Sequence, residues 1–240
     1  MTLRIFCVFC ALDSNRDLRE IKKLPRSFAF ACNNFFLFLR FIRPHMTKTR
    51  LEAFSDGVIA IIITIMVLEL KVPHGESLSD FISLIPIFIS YVLSFVNVAI
   101  YWGNHHHLLH TVKNVNSRII WSNTHLLFWL SLTPFGTAYM GENHFSTLSV
   151  IIYAFLQLMN GVAYYILLKG ITASETHNPN LTESLRKQTT KGMFSLYAYL
   201  TAIAAAFLSP YISGILFVLV SVMWTIPDRN IERDLKNLGS

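Results

Sequence analysis

The stretch that decides the fold is RLEAFSDG at residues 50–57, which runs without a break into VIAIIITIMVLEL at residues 58–70. A helix needs about 20 mostly apolar residues to cross the hydrocarbon core of a bilayer, and residues 51–70 supply that length. The first turns of this helix carry an acid, Asp56. An ionised Asp near hydrocarbon costs about 2.5–3.5 kcal/mol, so we expect Asp56 to face a protein partner or water rather than lipid.

The composition of the whole chain is that of a membrane protein. Hydrophobic residues make up 53% of the 240 residues and charged residues only 14%, which excludes a soluble globular domain. The formal net charge is +6, but the Lys and Arg residues lie between apolar segments instead of forming one basic face. We therefore expect the lipid bilayer as the partner of this chain and no nucleic acid.

Apolar segments of membrane-spanning length recur along the chain. Six predicted spans cover residues 51–70, 81–103, 119–140, 147–169, 191–208 and 211–226. The fold class is therefore all-α, a polytopic membrane protein with six transmembrane helices. The segment between spans 4 and 5, Gly170 to Thr190, is polar and contains the turn signal Asn178-Pro179-Asn180, so it is predicted as a loop.

The basic residues set the predicted orientation. Lys71 follows span 1 on one side of the membrane, and the other Lys and Arg residues after Met46 fall on the opposite side: Lys48, Arg50, Lys113, Arg118, Lys169, Arg186, Lys187, Lys191, Arg229, Arg233 and Lys236. By the positive-inside rule, both termini are predicted to be cytoplasmic.

The ends of the chain differ from the membrane part. Residues 1–45 mix short apolar runs with charge and are predicted to be a poorly ordered or dispensable extension, because Met46 would make a compact start before span 1. Residues 46–228 then form the six-helix domain, and residues 229–240 form a cytoplasmic tail. All cysteines lie in the extension, and a single CxxC without a second pair does not favour a zinc or redox site: Cys7, Cys10 and Cys32.

A helical projection divides span 1 into faces. One stripe carries a single hydroxyl among apolar or small residues: Phe54, Gly57, Ile61, Thr64, Ile65 and Leu68. Ser55 and Asp56 lie off this stripe. Taken alone, such a stripe packs against another helix or lipid, or lines a pore.

A second polar cluster lies at the cytoplasmic end of span 2, at the depth of Asp56: Asn97, Trp102, Asn104, His105, His106, His107 and His110. We expect an imidazole there to hydrogen-bond Asp56 or Ser55, with Arg50 neutralising the acid.

Metal and catalytic chemistry are the weaker interpretations of these residues. His106 and His110 have the i, i+4 spacing of zinc ligands, but no HExxH pattern and no nearby Cys completes a site. The sequence has no GxSxG, no P-loop pattern and no intramembrane acid dyad. We expect no enzyme activity and no cofactor.

The arrangement of these residues resembles the transmembrane protein 175 family of potassium channels, in its prokaryotic branch with one six-helix repeat per subunit. The similarity covers the whole membrane part and rests on RxxxFSDG followed by apolar and hydroxyl positions in span 1, and on span 2: Arg50, Phe54, Ser55, Asp56, Gly57, Ile61, Thr64, Trp102 and the histidines after it. The resemblance implies a homotetramer in a prokaryotic plasma membrane, with span 1 of each subunit lining a central pore for K⁺.

The resemblance also implies roles for individual residues. Ile61 matches the hydrophobic constriction of the pore, Leu68 a further apolar layer, and Thr64 the hydroxyl ring implicated in cation preference. A polar network that braces the pore helix is matched by Arg50, Ser55, Asp56, Trp102 and one or more of His105, His106 and His107.

Two rival functions follow from the same residues. In a proton-coupled or metal-ion transporter, Asp56 and the span-2 histidines would bind the substrate. A non-conducting membrane scaffold would need nothing from Thr64.

Overall fold

A computed structural model describes residues 46–73, 75, 77–174 and 179–225. For residues 179–187 it describes the backbone alone. The predicted extension 1–45 and the tail 229–240 lie outside the described residues, as does the end of the sixth predicted span.

All regular secondary structure in the described part of the chain is helical. It consists of α1 (Lys48–Leu68), α2 (Leu78–Ile82), α3 (Ile85–His110), α4 (Ser117–Ser131), α5 (Thr133–Glu142), α6 (Thr147–Ser174), α7 (Pro179–Ala206) and α8 (Pro210–Thr225). Helices α2 and α3 follow each other closely, as do α4 and α5, so the eight segments correspond to the six predicted spans. The all-helical prediction is confirmed.

Side chains near the helix ends explain where several segments begin. The Thr47 hydroxyl caps α1 by accepting the Arg50 amide hydrogen at 3.4 Å. The Asn116 side chain caps α4 by accepting the Ile119 amide hydrogen at 2.9 Å. Within the third span the break falls at Leu132, just before Pro134. Proline has no amide hydrogen to donate to the preceding turn, so α5 restarts with Pro134 in its first turn.

Three stretches of the described chain are long and apolar enough to cross a membrane: Lys48–Leu68, Leu78–His110 and Thr147–Ser174. The predicted loop from 170 to 190 is wrong in part, because α6 continues to Ser174 and α7 already begins at Pro179. Hydropathy marks where a helix enters lipid, and a polar stretch can extend the same helix into water.

Helix α6 lies at the centre of the subunit, in contact with α4, α5, α7 and α8. An apolar core forms where it meets α8, and there the buried Tyr153 and Phe217 rings pack edge to face with centroids 5.2 Å apart.

Buried hydrogen bonds connect the same helices. The Tyr153 hydroxyl lies 3.0 Å from Ser94 Oγ on α3 and accepts from Asn97 Nδ2 at 3.4 Å. Thr137 on α5 donates to Ser94 Oγ at 2.7 Å, and Ser221 on α8 donates to Asn97 Oδ1 at 3.1 Å. A bilayer offers no water to such groups, so each pairs with a neighbouring helix and holds that helix in register.

Helices α3 and α5 cross closely at Gly141. A Cβ atom built on Gly141 would lie 2.5 Å from Ser90 Oγ and 2.8 Å from Ile87 Cα. Because one of these contacts is to backbone, the two helices would have to separate to admit a side chain.

We therefore expect Gly141→Ala to destabilise the fold by about 1–3 kcal/mol, the usual range for overpacking a tight contact. Thermal unfolding of the detergent-solubilised protein measures the change. Gly103→Ala in α3 is the control, because a Cβ there meets nothing within 4 Å. Equal melting temperatures for the two variants would contradict the close crossing.

Candidate functional site

Helix α1 has one buried face. Its buried residues recur every three or four positions and pack towards α3, α4 and α5: Leu51, Ser55, Ile59, Ile62 and Met66. This face fixes α1 to the rest of the subunit.

The opposite face of α1 is exposed within the subunit. Ile61 is 58% exposed and Leu68 is 79% exposed, and Thr64 lies exposed between them. The Thr64 hydroxyl donates to the Ile61 carbonyl oxygen at 2.8 Å. The Thr64 oxygen is therefore left with lone pairs and no hydrogen to offer, which suits it to accept from water or to contact a cation.

Ser55 lies on the buried face of α1 and starts a chain of hydrogen bonds between three helices. Its hydroxyl donates to the Leu51 carbonyl at 2.8 Å and accepts from Asn123 Nδ2 on α4 at 2.9 Å. The Asn123 Oδ1 atom in turn lies 2.6 Å from His105 Nε2 on α3. Ser55, Asn123 and His105 are all buried, so this chain ties α1 to α3 and α4 without a charged group.

Asp56 is positioned by a tryptophan. The indole Nε1 of Trp102 donates to Asp56 Oδ1 at 3.0 Å. The His106 ring stacks on Trp102 with centroids 6.0 Å apart, and His107 and His110 have ring contacts with His106. The carboxylate is thus held at the flank of α1, at the edge of an aromatic cluster on α3.

Arg50 is exposed in the first turn of α1, and the ion pairs found among the described residues do not join it to Asp56. Lys48 is the basic residue that reaches α3, since its Nζ donates to the His110 carbonyl at 2.7 Å. Lys48 also lies 3.8 Å from Glu52 one turn along α1.

Asn123 is the residue of this cluster that sequence reasoning missed. The expected partner of Ser55 was an imidazole, whereas His105 reaches Ser55 through the Asn123 side chain. The available signal was the one carboxamide side chain in the third span, a position at which a polar side chain usually has a buried partner.

At the far end of α1, Lys71 forms an ion pair with Glu142 at the end of α5, with Nζ and Oε1 2.5 Å apart. The hydrogen bond to Glu142 raises the pKa of Lys71 above its usual value, so the lysine is charged at neutral pH. This pair links the end of α1 that lies away from Asp56 to the end of α5.

The histidine cluster does not gather metal ligands in the described part of the chain, where no three His, Cys, Asp or Glu side chains converge. The rings of His106 and His110, which have zinc-ligand spacing in sequence, have centroids 6.3 Å apart.

This architecture is that of a polytopic helical membrane subunit with one free face on its first span. The sequence profile described as "Endosomal/lysosomal potassium channel TMEM175" matches residues 50–134. A potassium channel of Chryseobacterium sp. (strain P1-3) is 49% identical over 191 residues, which cover 80% of this chain and 99% of that protein. The chain belongs to the TMEM175 family.

One further relative and one solved structure support this family membership. A potassium channel of Chamaesiphon minutus (strain ATCC 27169 / PCC 6605) is 30% identical over 192 residues, covering 73% of this chain and 93% of that protein. The crystal structure of a lysosomal potassium-selective channel TMEM175 homolog from Chamaesiphon minutus superposes with a TM-score of 0.68. The sequence identity is 27%, and the superposition covers 76% of this chain and 97% of the chain in that crystal structure. The six-span fold is therefore shared along nearly the full length of these relatives.

The central place of Asn123 leads to a prediction. Asn123→Leu would leave the buried Ser55 and His105 side chains without this partner, and each such loss costs about 1–3 kcal/mol. We expect a clearly lower melting temperature in detergent. Thr124→Leu is the matched control, since Thr124 lies exposed on the same helix and its hydroxyl donates to the Ile120 carbonyl oxygen. A variant that melts as high as this control would show that the chain of hydrogen bonds does not fix α1.

Proposed function

We propose that this protein is a potassium-permeable cation channel, a homotetramer in which α1 of each subunit lines a central pore. The proposal is supported by family membership and by the potassium channels among its relatives. One observation carries it furthest, namely that α1 turns Ile61, Thr64 and Leu68 to a face that the rest of the subunit leaves uncovered.

The packing of α1 supports this face as the one that lines the pore. The buried face of α1 is committed to α3, α4 and α5 through its apolar residues and through Ser55. The free face carries the Thr64 hydroxyl in the middle of an apolar stripe, and in a pore such an oxygen could contact a passing cation. Four copies around an axis would bring the Thr64 side chains into one ring.

In this arrangement Ile61 forms the constriction and Leu68 a second apolar layer towards the outside. Four isoleucine side chains around a narrow passage close it by expelling water, because a hydrophobic constriction dewets. Thr64, one turn further along α1, supplies the cation preference. Its hydroxyl already donates to the Ile61 carbonyl, so its oxygen faces the passage as an acceptor that replaces part of a cation's hydration shell.

The polar cluster at the inner end of α1 holds the pore helix in place. Ser55 and His105, joined through Asn123, fix the buried face, while Trp102 holds Asp56 at the flank. Stacking of His106 on Trp102, with His107 beside it, supports the indole. Arg50 supplies positive charge at the same end of α1.

The proposed setting is a prokaryotic plasma membrane with both chain termini in the cytoplasm. The distribution of Lys and Arg supports this orientation, because Lys71 lies at the outer end of α1 and the other basic residues after Met46 lie on the inner side. K⁺ is the permeant ion, and no cofactor or enzyme activity enters the proposal.

The constriction gives the first functional prediction. Ile61→Asn places an amide in the passage, wets it, and should raise K⁺ flux from liposomes containing the purified protein several-fold. Ile215→Asn on α8 is the matched control, since Ile215 is 60% exposed and Ile61 is 58% exposed. Unchanged flux in Ile61→Asn, or the same rise in the control, would argue against a pore along this face.

The proposed ring of Thr64 hydroxyls gives the second functional prediction. Thr64→Ala should lower the ratio of K⁺ to Na⁺ permeability while flux persists, because the ring of oxygen ligands is lost. Thr201→Ala is a close control, since Thr201 is also exposed and donates back to its own helix at 2.8 Å, as Thr64 does.

The same liposomes separate the channel from the transporter alternative. Slow flux that needs a proton or divalent-ion gradient and ignores Thr64→Ala would overturn the channel and move the functional site to Asp56 and the α3 histidines.

A further inference from the structure

A small cavity lies inside the subunit, away from the free face of α1. It is lined by α3, α6, α7 and α8 and is partly open to the surface, and its lining combines hydroxyl, amide and aromatic groups with no charged residue: Asn97, Tyr101, Asn104, Tyr164, Ser195 and Trp224 among others. The centre of a water molecule can reach about 30 Å³ of this space. One buried water needs at least ~10–15 Å³ on this measure, so there is room for about two.

Most polar groups in the lining have protein partners. Ser195 Oγ accepts from Trp224 Nε1 at 2.8 Å, and the Tyr164 hydroxyl donates to Gln188 Oε1 at 3.2 Å. The Tyr101 and Tyr199 hydroxyls differ, since none of the hydrogen bonds found among the described residues includes either of them. The Tyr101 hydroxyl lies 3.9 Å from the position of a Cβ on Gly161, at the wall of the cavity.

Two glycines on facing helices keep this space open. A Cβ on Gly161 of α6 would lie 3.0 Å from Leu196 Cδ2, whereas a Cβ on Gly192 of α7 would meet nothing within 4 Å. Since Gly192 lines the cavity, a side chain added there would stand at the cavity without a collision at its first atom.

The cavity also lies at the end of a polar stripe. Ser90, Ser94, Asn97, Tyr101 and Asn104 recur at intervals of three and four residues, so they share one face of α3. The middle of the stripe is hydrogen-bonded, with Thr137 joined to Ser94, and both Ser94 and Asn97 joined to Tyr153. Tyr101 is the next position along the same face, at the cavity.

We propose that the cavity is a water-binding site, in which one or two water molecules hydrogen-bond the Tyr101 hydroxyl and continue the buried hydrogen-bond chain of α3 towards α7. Apolar cavities stay dry, whereas a cavity with several convergent polar groups binds water. The site is separate from the α1 face and does not depend on the proposed channel function.

An isosteric pair of variants tests the site. In a wet cavity, the hydroxyl of Gly192→Thr finds hydrogen-bond partners, while Gly192→Val presents a methyl group of the same shape to water and to Tyr101. The Thr variant should therefore melt higher than the Val variant in detergent, by about 2 °C or more. A dry void would reverse the order. A Thr variant that melts no higher than the Val variant overturns the proposal.

The same pair at Gly214 of α8 is the control, because a Cβ there also meets nothing within 4 Å and no cavity adjoins it among those found in the described part of the chain. An advantage of Thr over Val at position 214 as large as at 192 would assign the difference to the helices themselves and overturn the site.

The exposure of the Tyr101 ring to water can also be measured in the protein without a substitution at Gly192. Water-edited solid-state NMR of the tyrosine-labelled protein in lipid reports magnetisation transfer from water to each ring. Tyr101 should receive it much faster than Tyr153, whose buried hydroxyl is held by Ser94 and Asn97. Spectra of Tyr101→Phe and Tyr153→Phe assign the two signals. Equal transfer rates would overturn the water site.

Discussion

The hydrogen bond from Asn123 to Ser55 is the contact on which the orientation of α1 depends. Ser55 lies on the helix face that packs inward, and Asn123 connects it to His105 on a third helix. A polar pair buried at a helix interface has few alternative partners. Rotating α1 would therefore leave the side chains of Ser55, Asn123 and His105 without hydrogen-bond partners. The direction in which Ile61 and Thr64 point is thus set by contacts on the other side of the helix.

Buried hydrogen bonds between uncharged side chains also join the other helices of the bundle. Ser94, Asn97, Tyr153 and Ser221 join α3, α6 and α8 by hydrogen bonds between neutral groups, and Gly141 lets α5 approach α3 closely. Helices that lack a hydrophobic driving force against each other in lipid associate through small residues and buried hydrogen bonds. These contacts join the helices around the small polar cavity, whereas the face of α1 with Ile61 and Thr64 stays exposed.

A pore built between subunits is consistent with this division. The residues proposed to meet ions are few and lie on one exposed stripe, while charged side chains flank it: Asp56 beside Trp102 at one end, and Lys71 paired with Glu142 at the other. Each flank is tied to another helix of the same subunit. If the proposed pore lies along this stripe, changes there would alter conduction without removing the contacts that hold α1.

The sequence by itself determined the helical class, the spans and the stripe through Ile61, Thr64 and Leu68, because hydropathy and a 3.6-residue period are local properties. It also singled out Ser55, Asp56, Trp102 and His105 as polar residues at one end of spans 1 and 2. Only the tertiary structure decided that Trp102 donates to Asp56, that His105 reaches Ser55 through Asn123, and that α7 begins as early as Pro179. Which of several polar side chains meet depends on how the helices rotate and cross, and that is a property of the packed bundle rather than of any one segment.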